Sequence, residues 1–254
     1  MARVKGVLLC GGEGTRLRPF TEVINKHLVR VYDLPMAEYP LMKMIACGIK
    51  DIMIVSGGSN FAAVVKYFGS GQKWKVNIVH AIQDEAGGIA QALSLAENFV
   101  GDDNVLVCLG DNIWSMDLKT HLDGFKMMGT KKAMLFAIKV DEPQKYGVLA
   151  FDDGKDIDLS YPIDIIEKPK KPASDYILSG IYFYGPEVFA IIKGLKPSKR
   201  GELEITDVNR VYIKAAKALI VYMSGWWSDC GTLESLLKTE ERIKNDRYVR
   251  SVCP

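Results

Sequence analysis

The chain has 254 residues, 48% hydrophobic and 25% charged, the profile of a globular protein that can bury a substantial core. Its 33 basic residues nearly match its 31 acidic ones, for a net charge of +2. That balance counts against a nucleic-acid binder working through a broad basic face, so any anion binding must be local.

Val4–Leu9 reads as a buried strand running straight into Cys10-Gly11-Gly12-Glu13-Gly14-Thr15-Arg16-Leu17, with Lys26 ten residues after Arg16. Glycines there let several N–H groups point at one anion, and Arg16 adds a fork of donors matched to phosphate oxygens. A plain tight turn is the alternative, but such a turn needs no cations. Two familiar phosphate loops fail on residues. The dinucleotide fingerprint needs a third glycine where Leu17 stands, and Gly14 is followed by Thr15 and not by the Lys-Ser/Thr of a P-loop.

Next come a helix at Pro40–Cys47 closed by Gly48, a strand at Asp51–Ser56 and a helix at Phe61–Phe68. A strand at Val76–His80, a helix at Ile89–Asn98 and a strand at Asn104–Leu109 follow, the last closed by Gly110-Asp111-Asn112. Strand–helix alternation of this kind predicts a parallel sheet with helices on both faces and ligands at the carboxyl ends of the strands. The loops at 10–16, 83–88 and 110–112 can then converge on one crevice. The second half is more mixed. Strands are predicted at Ala133–Val140, Gly147–Phe151 and Asp164–Glu167 around a turn signal at Asp152-Asp153-Gly154, and again at Ser179–Tyr184 and Ala218–Met223. Helices are predicted at Glu187–Lys193, at Thr206–Ala215 with Thr206 as N-cap, and at Thr232–Asp246 with Leu233, Leu236, Leu237 and Ile243 on its apolar face. With no repeat or linker in view, one unit with two lobes fits, residues 1–130 mainly one half and 131–254 mainly the other.

The first residues carry Arg3, Lys5, Glu13, Arg16 and Arg18 where a secretory leader has an apolar core, and no apolar run nears the ~18 residues of a membrane span. We therefore expect a cytoplasmic protein without membrane or nucleic-acid partners. Cys10, Cys47, Cys108, Cys230 and Cys253 stand singly, with no C-x-x-C pair, and read as buried thiols. His27, His80 and His121 have no metal-ligand spacing and read as solvated or core-satisfied.

Asp111 at a strand end can hold a hard cation or make a turn hydrogen bond. Asp229, in Trp226-Trp227-Ser228-Asp229-Cys230-Gly231-Thr232, can do likewise or cap the last helix. Glu167-Lys168-Pro169 can be a surface ion pair, Tyr146-Gly147-Val148 an edge-strand start, and Arg200-Gly201-Glu202-Leu203-Glu204-Ile205-Thr206-Asp207 a charged loop capping a helix.

Taken together and in order, these segments resemble the sugar-1-phosphate nucleotidylyltransferases, most closely the glucose-1-phosphate thymidylyltransferases. The Gly11–Pro19 stretch with Lys26, Val31–Met36, Gln83 with Gly87–Ala92, Leu109–Asn112, Tyr146–Val148, Glu167–Pro169, Arg200–Asp207 and Asp229–Thr232 carry the likeness across nearly the whole chain. The resemblance implies an α/β fold, a Rossmann-like mostly parallel sheet flanked by helices with a smaller mixed sugar-binding lobe. It implies a magnesium-dependent reaction in which a hexose 1-phosphate attacks the α-phosphorus of dTTP and pyrophosphate leaves. By the same analogy Leu9, Gly11, Gly12, Gly14, Thr15, Arg16, Gln83, Gly88 and Asp111 hold the nucleotide. Tyr146, Gly147, Glu167, Lys168, Tyr182 and Trp227 hold the sugar phosphate. Arg16, Lys26, Asp111 and Asp229 act in catalysis, and Asp111 and Asp229 hold magnesium. A homo-oligomer, dimer or tetramer, is expected. UTP, CTP or another hexose 1-phosphate are alternatives, as is a non-catalytic nucleotide-sugar sensor, which would be expected to lack these cations and carboxylates.

Some positions depart from the family pattern. Arg30 replaces a usual proline, Leu34 a usual lysine, and Ser228 and Cys230 flank Asp229 where Leu or Ile and a small residue are common. Ser179 stands where Thr or Val is common, and the stretch between Gly154 and Glu167 looks extended into a longer hairpin near the sugar. The chain stops soon after its closing helix, where longer relatives continue into a segment that helps form a regulatory site, so that site is expected to be absent or altered.

Overall fold

The computed structural model describes residues 3–58, 60–128, 132–152 and 161–252. The Asp153-Gly154 part of the turn signal, most of the expected longer hairpin, and Cys253 lie outside the described residues. Nine strands form one sheet: β1 (Val4–Cys10), β2 (Asp51–Gly57), β3 (Asn77–Gln83), β4 (Asn104–Leu109), β5 (Ala133–Lys139), β6 (Gly147–Ala150), β7 (Asp164–Glu167), β8 (Tyr176–Tyr184) and β9 (Ala218–Tyr222). The order β7-β6-β8-β4-β1-β2-β3 runs across it, and β5 pairs with both β8 and β9.

Strands β4, β1, β2 and β3 are parallel neighbours, as the alternation in the first half predicts. β8 joins β4 antiparallel and carries the mixed part of the sheet. Its first residues pair with β5 and β6 and its last with β5 and β4, and the register against β5 jumps between Leu178 and Tyr182. A bulge therefore sits at Ser179–Gly180, where the strand changes neighbours.

Side chains alternate across the sheet, so each strand feeds two cores. Leu8 and Cys10 of β1 pack with α1 (Glu38–Ala46), α2 (Phe61–Phe68) and α5 (Lys119–Met127) through Leu41, Met44, Val64, Phe68 and Phe125. Val7 and Leu9 pack on the other face with α3 (Ile89–Ser94), α6 (Val188–Lys193) and α7 (Ile205–Lys214) through Ala90, Leu93, Val188, Val208 and Tyr212. A third cluster joins Leu17, Tyr39, Ile113 and Cys230 to α8 (Leu233–Asn245) and α9 (Arg247–Val252) through Leu236, Ile243 and Val249. The Leu17 that breaks the dinucleotide fingerprint is thus a core anchor for the glycine turn. Cys10, Cys47, Cys108 and Cys230 are free and buried.

Several elements differ from the sequence-based expectation. The predicted helix at Ile89–Asn98 is broken at Leu95–Ala96 into α3 and α4 (Glu97–Val100). α1 starts at Glu38, before Pro40, because proline is tolerated in a first helical turn. The third strand lies further on than Val76–His80, which places Gln83 at its carboxyl end. Thr206 is not an N-cap: α7 begins at Ile205, and the Thr206 hydroxyl donates to Glu167. Leu233 and Leu237 are exposed, whereas Leu236 and Ile243 carry the buried face of α8. α9 has no counterpart among the predicted elements.

Thr232 caps α8 with a reciprocal box: its side chain accepts from the Ser235 N–H, and Ser235 Oγ accepts from the Thr232 N–H, both at 3.1 Å. Thr232→Ala is expected to cost about 1 kcal/mol of unfolding free energy. A urea midpoint equal to that of the parent chain would show that the cap does not hold this helix.

Candidate active site

The carboxyl ends of β1, β3 and β4 deliver the three loops to one place. One cavity of about 210 Å³ is lined by Leu9, Gly11, Gly12, Lys26, His27, Gln83, Gly88, Ile89, Leu109 and Asp111, with Ala86, Ala92 and Glu202. A second, of about 580 Å³, is lined by Arg16, Tyr146, Gly147, Glu167, Lys168, Tyr182, Trp227 and Asp229, among others. Ile89, Leu109 and Asp111 belong to both, so the two cavities are halves of one crevice with Asp111 at their junction. Of the residues read as nucleotide-binding, Gly14 and Thr15 line neither cavity; they build the turn. Every residue read as sugar-phosphate-binding lines the larger one.

Local geometry explains the residue types. Gly14 takes a left-handed conformation (φ 64°), and a Cβ there would lie 2.8 Å from the Lys26 Cβ, so the turn can fold over Lys26 only with glycine. Gly88 (φ 97°) packs so closely on residue 203 that a Cβ would sit 2.5 Å from the Leu203 carbonyl. The Leu203 N–H donates to Gly87 O at 2.8 Å, and the Ala90 N–H donates to Leu203 O at 3.1 Å. The Arg200–Asp207 segment thereby clips the 83–88 loop in place. Gln83 Nε2 donates to Gly88 O at 3.1 Å and to Gln91 Oε1 at 2.7 Å, which holds its amide against the first cavity.

Lys26 Nζ donates to Asp111 Oδ2 at 2.7 Å, and Asn112 Nδ2 donates to Asp111 Oδ1 at 2.8 Å. Burial works to raise the Asp111 pKa, but the Lys26 charge and the two hydrogen bonds outweigh it and hold the carboxyl below its usual range. Asp229 arrives from the other end of the chain. Trp227–Ser228 pair antiparallel with Ile113–Trp114, Ser228 opposite Ile113. One step further along this register sets Asp229 across from Asn112, beside Asp111. The Tyr146 hydroxyl donates to Asp229 Oδ2 at 3.1 Å; burial and that carboxylate push the phenol well up, so it stays a donor. Arg16 and Asp229 both flank Gly231, where a Cβ would lie 2.8 Å from Arg16 Nη2 and 3.3 Å from Asp229 Oδ2.

In the larger cavity, Glu167 accepts from Thr206 Oγ1 and lies 3.4 Å from Lys168 Nζ and 3.6 Å from an Arg200 nitrogen. Trp227 Nε1 donates to Asn112 Oδ1 and to Ser179 O, both at 2.8 Å, fixing the indole as a wall. Sequence reasoning missed Glu202, Thr206, Asn209 and the reach of Arg200 as site-facing groups. Thr206 and Asn209 lie three apart on α7, a spacing that shares a helix face, but nothing in the sequence says which way that face turns.

The fold and site together define an α/β transferase with a two-part crevice at the strand ends. Residues 5–246 match the nucleotidyl transferase family, and the chain belongs to it and is a nucleotidyltransferase. It is 37% identical over 95% of its length to a Neisseria meningitidis glucose-1-phosphate thymidylyltransferase, 85% of which is covered. A Xanthomonas campestris pv. campestris protein of the same name is 38% identical over 100% of this chain and 86% of its own. A Bacillus anthracis crystal structure, provisionally named a glucose-1-phosphate thymidylyltransferase and containing sucrose, aligns with a TM-score of 0.88 at 44% identity over 96% of both chains. A UDP-glucose pyrophosphorylase bound to UDP-glucose shares the fold, with a TM-score of 0.83 at 24% identity over 97% of this chain and all of that one. No helix among the described residues is long and apolar enough to cross a membrane.

His27 is buried beneath the Lys26–Asp111 pair. Asn25 Oδ1 accepts from the His27 backbone N–H at 3.0 Å and lies 3.0 Å from Nδ1, so Nδ1 carries the ring proton. Burial, reinforced by Lys26, lowers the imidazole pKa from 6.5 to about 3. Between those values the unfolded chain binds a proton that the folded chain does not. The stability that His27 contributes is complete above about pH 6.5 and is lost towards pH 3, at up to about 1.4 kcal/mol per pH unit. Urea midpoints measured from pH 7 to pH 5 should therefore fall more steeply for the parent than for His27→Gln; equal slopes would contradict the buried neutral ring.

Proposed function

We propose that the protein transfers a thymidylyl group from dTTP to α-D-glucose 1-phosphate, giving dTDP-glucose and pyrophosphate. The observation that carries this reading is the shared wall of the two cavities. The smaller, glycine-lined half suits a base and triphosphate, and the larger half offers Glu167 and Tyr146 for hydroxyls and Lys168 for a phosphate. Asp111 stands where the two ligands would meet. The names of the relatives point to the same donor and acceptor.

The chemistry is in-line displacement. A phosphate oxygen of the sugar 1-phosphate forms a bond to the α-phosphorus, and the bond from that phosphorus to the bridging oxygen of pyrophosphate breaks. The attacking phosphate is already ionised, so no general base is required. What the site must supply is alignment and positive charge on the nonbridging and leaving oxygens. Backbone N–H groups of the 11–15 turn would cradle the triphosphate, and Arg16 and Lys26 would neutralise it and the departing pyrophosphate. Lys168 would hold the acceptor phosphate, with Arg200 close behind it.

The residues present fit a magnesium ion. Among the described residues no cluster of three or more His, Cys, Asp or Glu side chains could hold a metal alone. Two carboxylates on one cavity, completed by substrate phosphates, are the kind of set magnesium takes. Asp111 and Asp229 would hold it, and when bound it would draw charge from the α-phosphate oxygens. In the structure Lys26 occupies Asp111 Oδ2. A triphosphate would draw that ammonium towards itself and free the carboxylate oxygen. Tyr146 orients the second carboxylate through its hydroxyl.

Pyrophosphate release measured across nucleotide–sugar pairs tests the assignment: dTTP with glucose 1-phosphate should give the highest kcat/KM. A ranking among the poorest pairs would overturn the substrate assignment. Lys26→Ala should lower kcat by about 10²–10³-fold, the usual loss when a transition-state charge partner is removed. An unchanged rate would remove Lys26 from the reaction.

A further inference from the structure

The amide of Gln83 is held in one orientation from behind the smaller cavity. Gln83 is 8% exposed and lines that cavity. Its Nε2 makes two hydrogen bonds, to Gly88 O at 3.1 Å and to Gln91 Oε1 at 2.7 Å. A primary amide has two N–H donors, so both are engaged. Gly88 O is a backbone carbonyl and can only accept, which tells the two ends of the amide apart. Turning the amide over would set its oxygen against that carbonyl and against Gln91 Oε1. The remaining end, Oε1, lies over the glycine turn, where a Cβ on Gly11 would sit 2.9 Å from it. No donor is bonded to this oxygen among the described residues.

Gln91 stands in the first turn of α3 and does not itself line the cavity. Its stem crosses Gly87 so closely that a Cβ there would lie 2.9 Å from Gln91 Cγ, so Gly87 leaves it room to reach Gln83. Of the two contacts that hold the Gln83 amide, the one to Gln91 is the shorter, and it is the one made by a side chain. With it gone, a single bond to Gly88 O would be left to keep the amide from turning over.

We propose that Gln91 is a positioning residue that selects the base of the donor nucleotide, holding Gln83 so that its oxygen faces a pyrimidine N3–H and cytosine is rejected; this rests on reading the smaller cavity as the base site. Thymine and uracil carry an N3–H donor between two carbonyls. Cytosine carries a bare nitrogen at N3, which would meet the Gln83 oxygen acceptor against acceptor. An amide free to turn would serve both, offering its oxygen to one base and its NH2 to the other. The contact to Gln91 withholds the second option. A site of fixed polarity discriminates because the wrong partner leaves buried polar groups unpaired. Gln91 thus acts on the base through Gln83, without touching the nucleotide.

The test compares the parent chain with Gln91→Met, which keeps the length but removes the oxygen, and with Gln91→Glu, which keeps an acceptor in place. Initial rates are taken with dTTP and with dCTP, glucose 1-phosphate being the acceptor. The parent should prefer dTTP. Gln91→Met should cut that kcat/KM preference about ten-fold and leave KM for glucose 1-phosphate within about two-fold. Gln91→Glu should keep the preference within about three-fold of the parent's. The two nucleotides carry the same charge, so the effect of the added carboxylate on a triphosphate cancels from the ratio. An unchanged preference in Gln91→Met, or an equal loss in Gln91→Glu, would overturn the assignment and leave the donor reading standing. The equal loss would show that Gln91 only packs the loop. A parent that prefers dCTP would overturn the donor reading and this assignment together. Should Gln91→Met fail to fold, Gln91→Ala takes its place with the same expected loss.

Discussion

Asp111 and Asp229 are 118 positions apart, and they line one cavity because Trp227–Ser228 pair with Ile113–Trp114. That short antiparallel clasp joins the end of β4 to the loop before α8. It is held by more than its own ladder. Ser115 Oγ accepts from the Trp226 N–H at 2.9 Å, Arg242 donates to Trp227 O at 3.1 Å, and the Trp114 side chain is buried in the core beneath. Without the clasp the two carboxylates would be separate loop residues, Trp227 would not reach Asn112, and the crevice would lack one side. The third core, from Leu17 through Ile113 to Ile243, braces the same clasp against the glycine turn. One packing unit thus fixes both the glycine turn and the second carboxylate.

Electrostatics in the site are arranged by local pairing in a chain almost neutral overall. Asp111 is kept ionised although buried, because Lys26 and Asn112 satisfy its two oxygens. His27, directly beneath, is kept neutral by burial and by the lysine. A protonated imidazole there would compete with Lys26 for the same carboxylate, so the neutral ring leaves that ion pair undivided. Tyr146 and Tyr182 remain protonated donors for the same physical reason: each is buried beside a carboxylate.

Strands β1, β2 and β4 were legible because each carries an apolar run between turn residues, as a doubly covered parallel strand must, whereas β3, at the sheet edge with Asn77, His80 and Gln83 in it, runs past its expected end. The convergence of the loops followed from that topology. What was not legible depends on contacts distant in sequence. Ile89–Asn98 carries a helical pattern throughout, yet the Ala96 region bends to seat Ala96 and Val100 in the core, and the helix breaks. Thr206 has the side chain of an N-cap, but Glu167, 39 residues away, takes its hydroxyl. Leu233 and Leu237 share an apolar spacing with Leu236, and only the position of the third core decides which of them is buried. The carboxylate pair was a likeness in the sequence; the register of the clasp gives it a physical cause.

The two halves of the crevice differ in how they are built. In the first half the 83–88 loop is held largely by backbone hydrogen bonds to Leu203, with the Gln83 amide donating to Gly88 O and Gln91 Oε1. The second half rests on side chains: a bulged strand, a stack of tyrosines and a helix face, with donors left unpaired at Ser179 and Asn209. Leaving polar atoms unsatisfied costs stability, and a protein gains from that cost only if a partner with matching geometry recovers it. A base can be read by a preformed backbone edge, because its donors and acceptors lie in one plane. A hexose presents hydroxyls that differ only in direction, and telling them apart requires side-chain donors whose own orientation is fixed from behind. The Tyr184 hydroxyl, which donates to Asn209 Oδ1 from behind the wall of the larger cavity, is a contact of that kind, one layer deeper than the cavity surface.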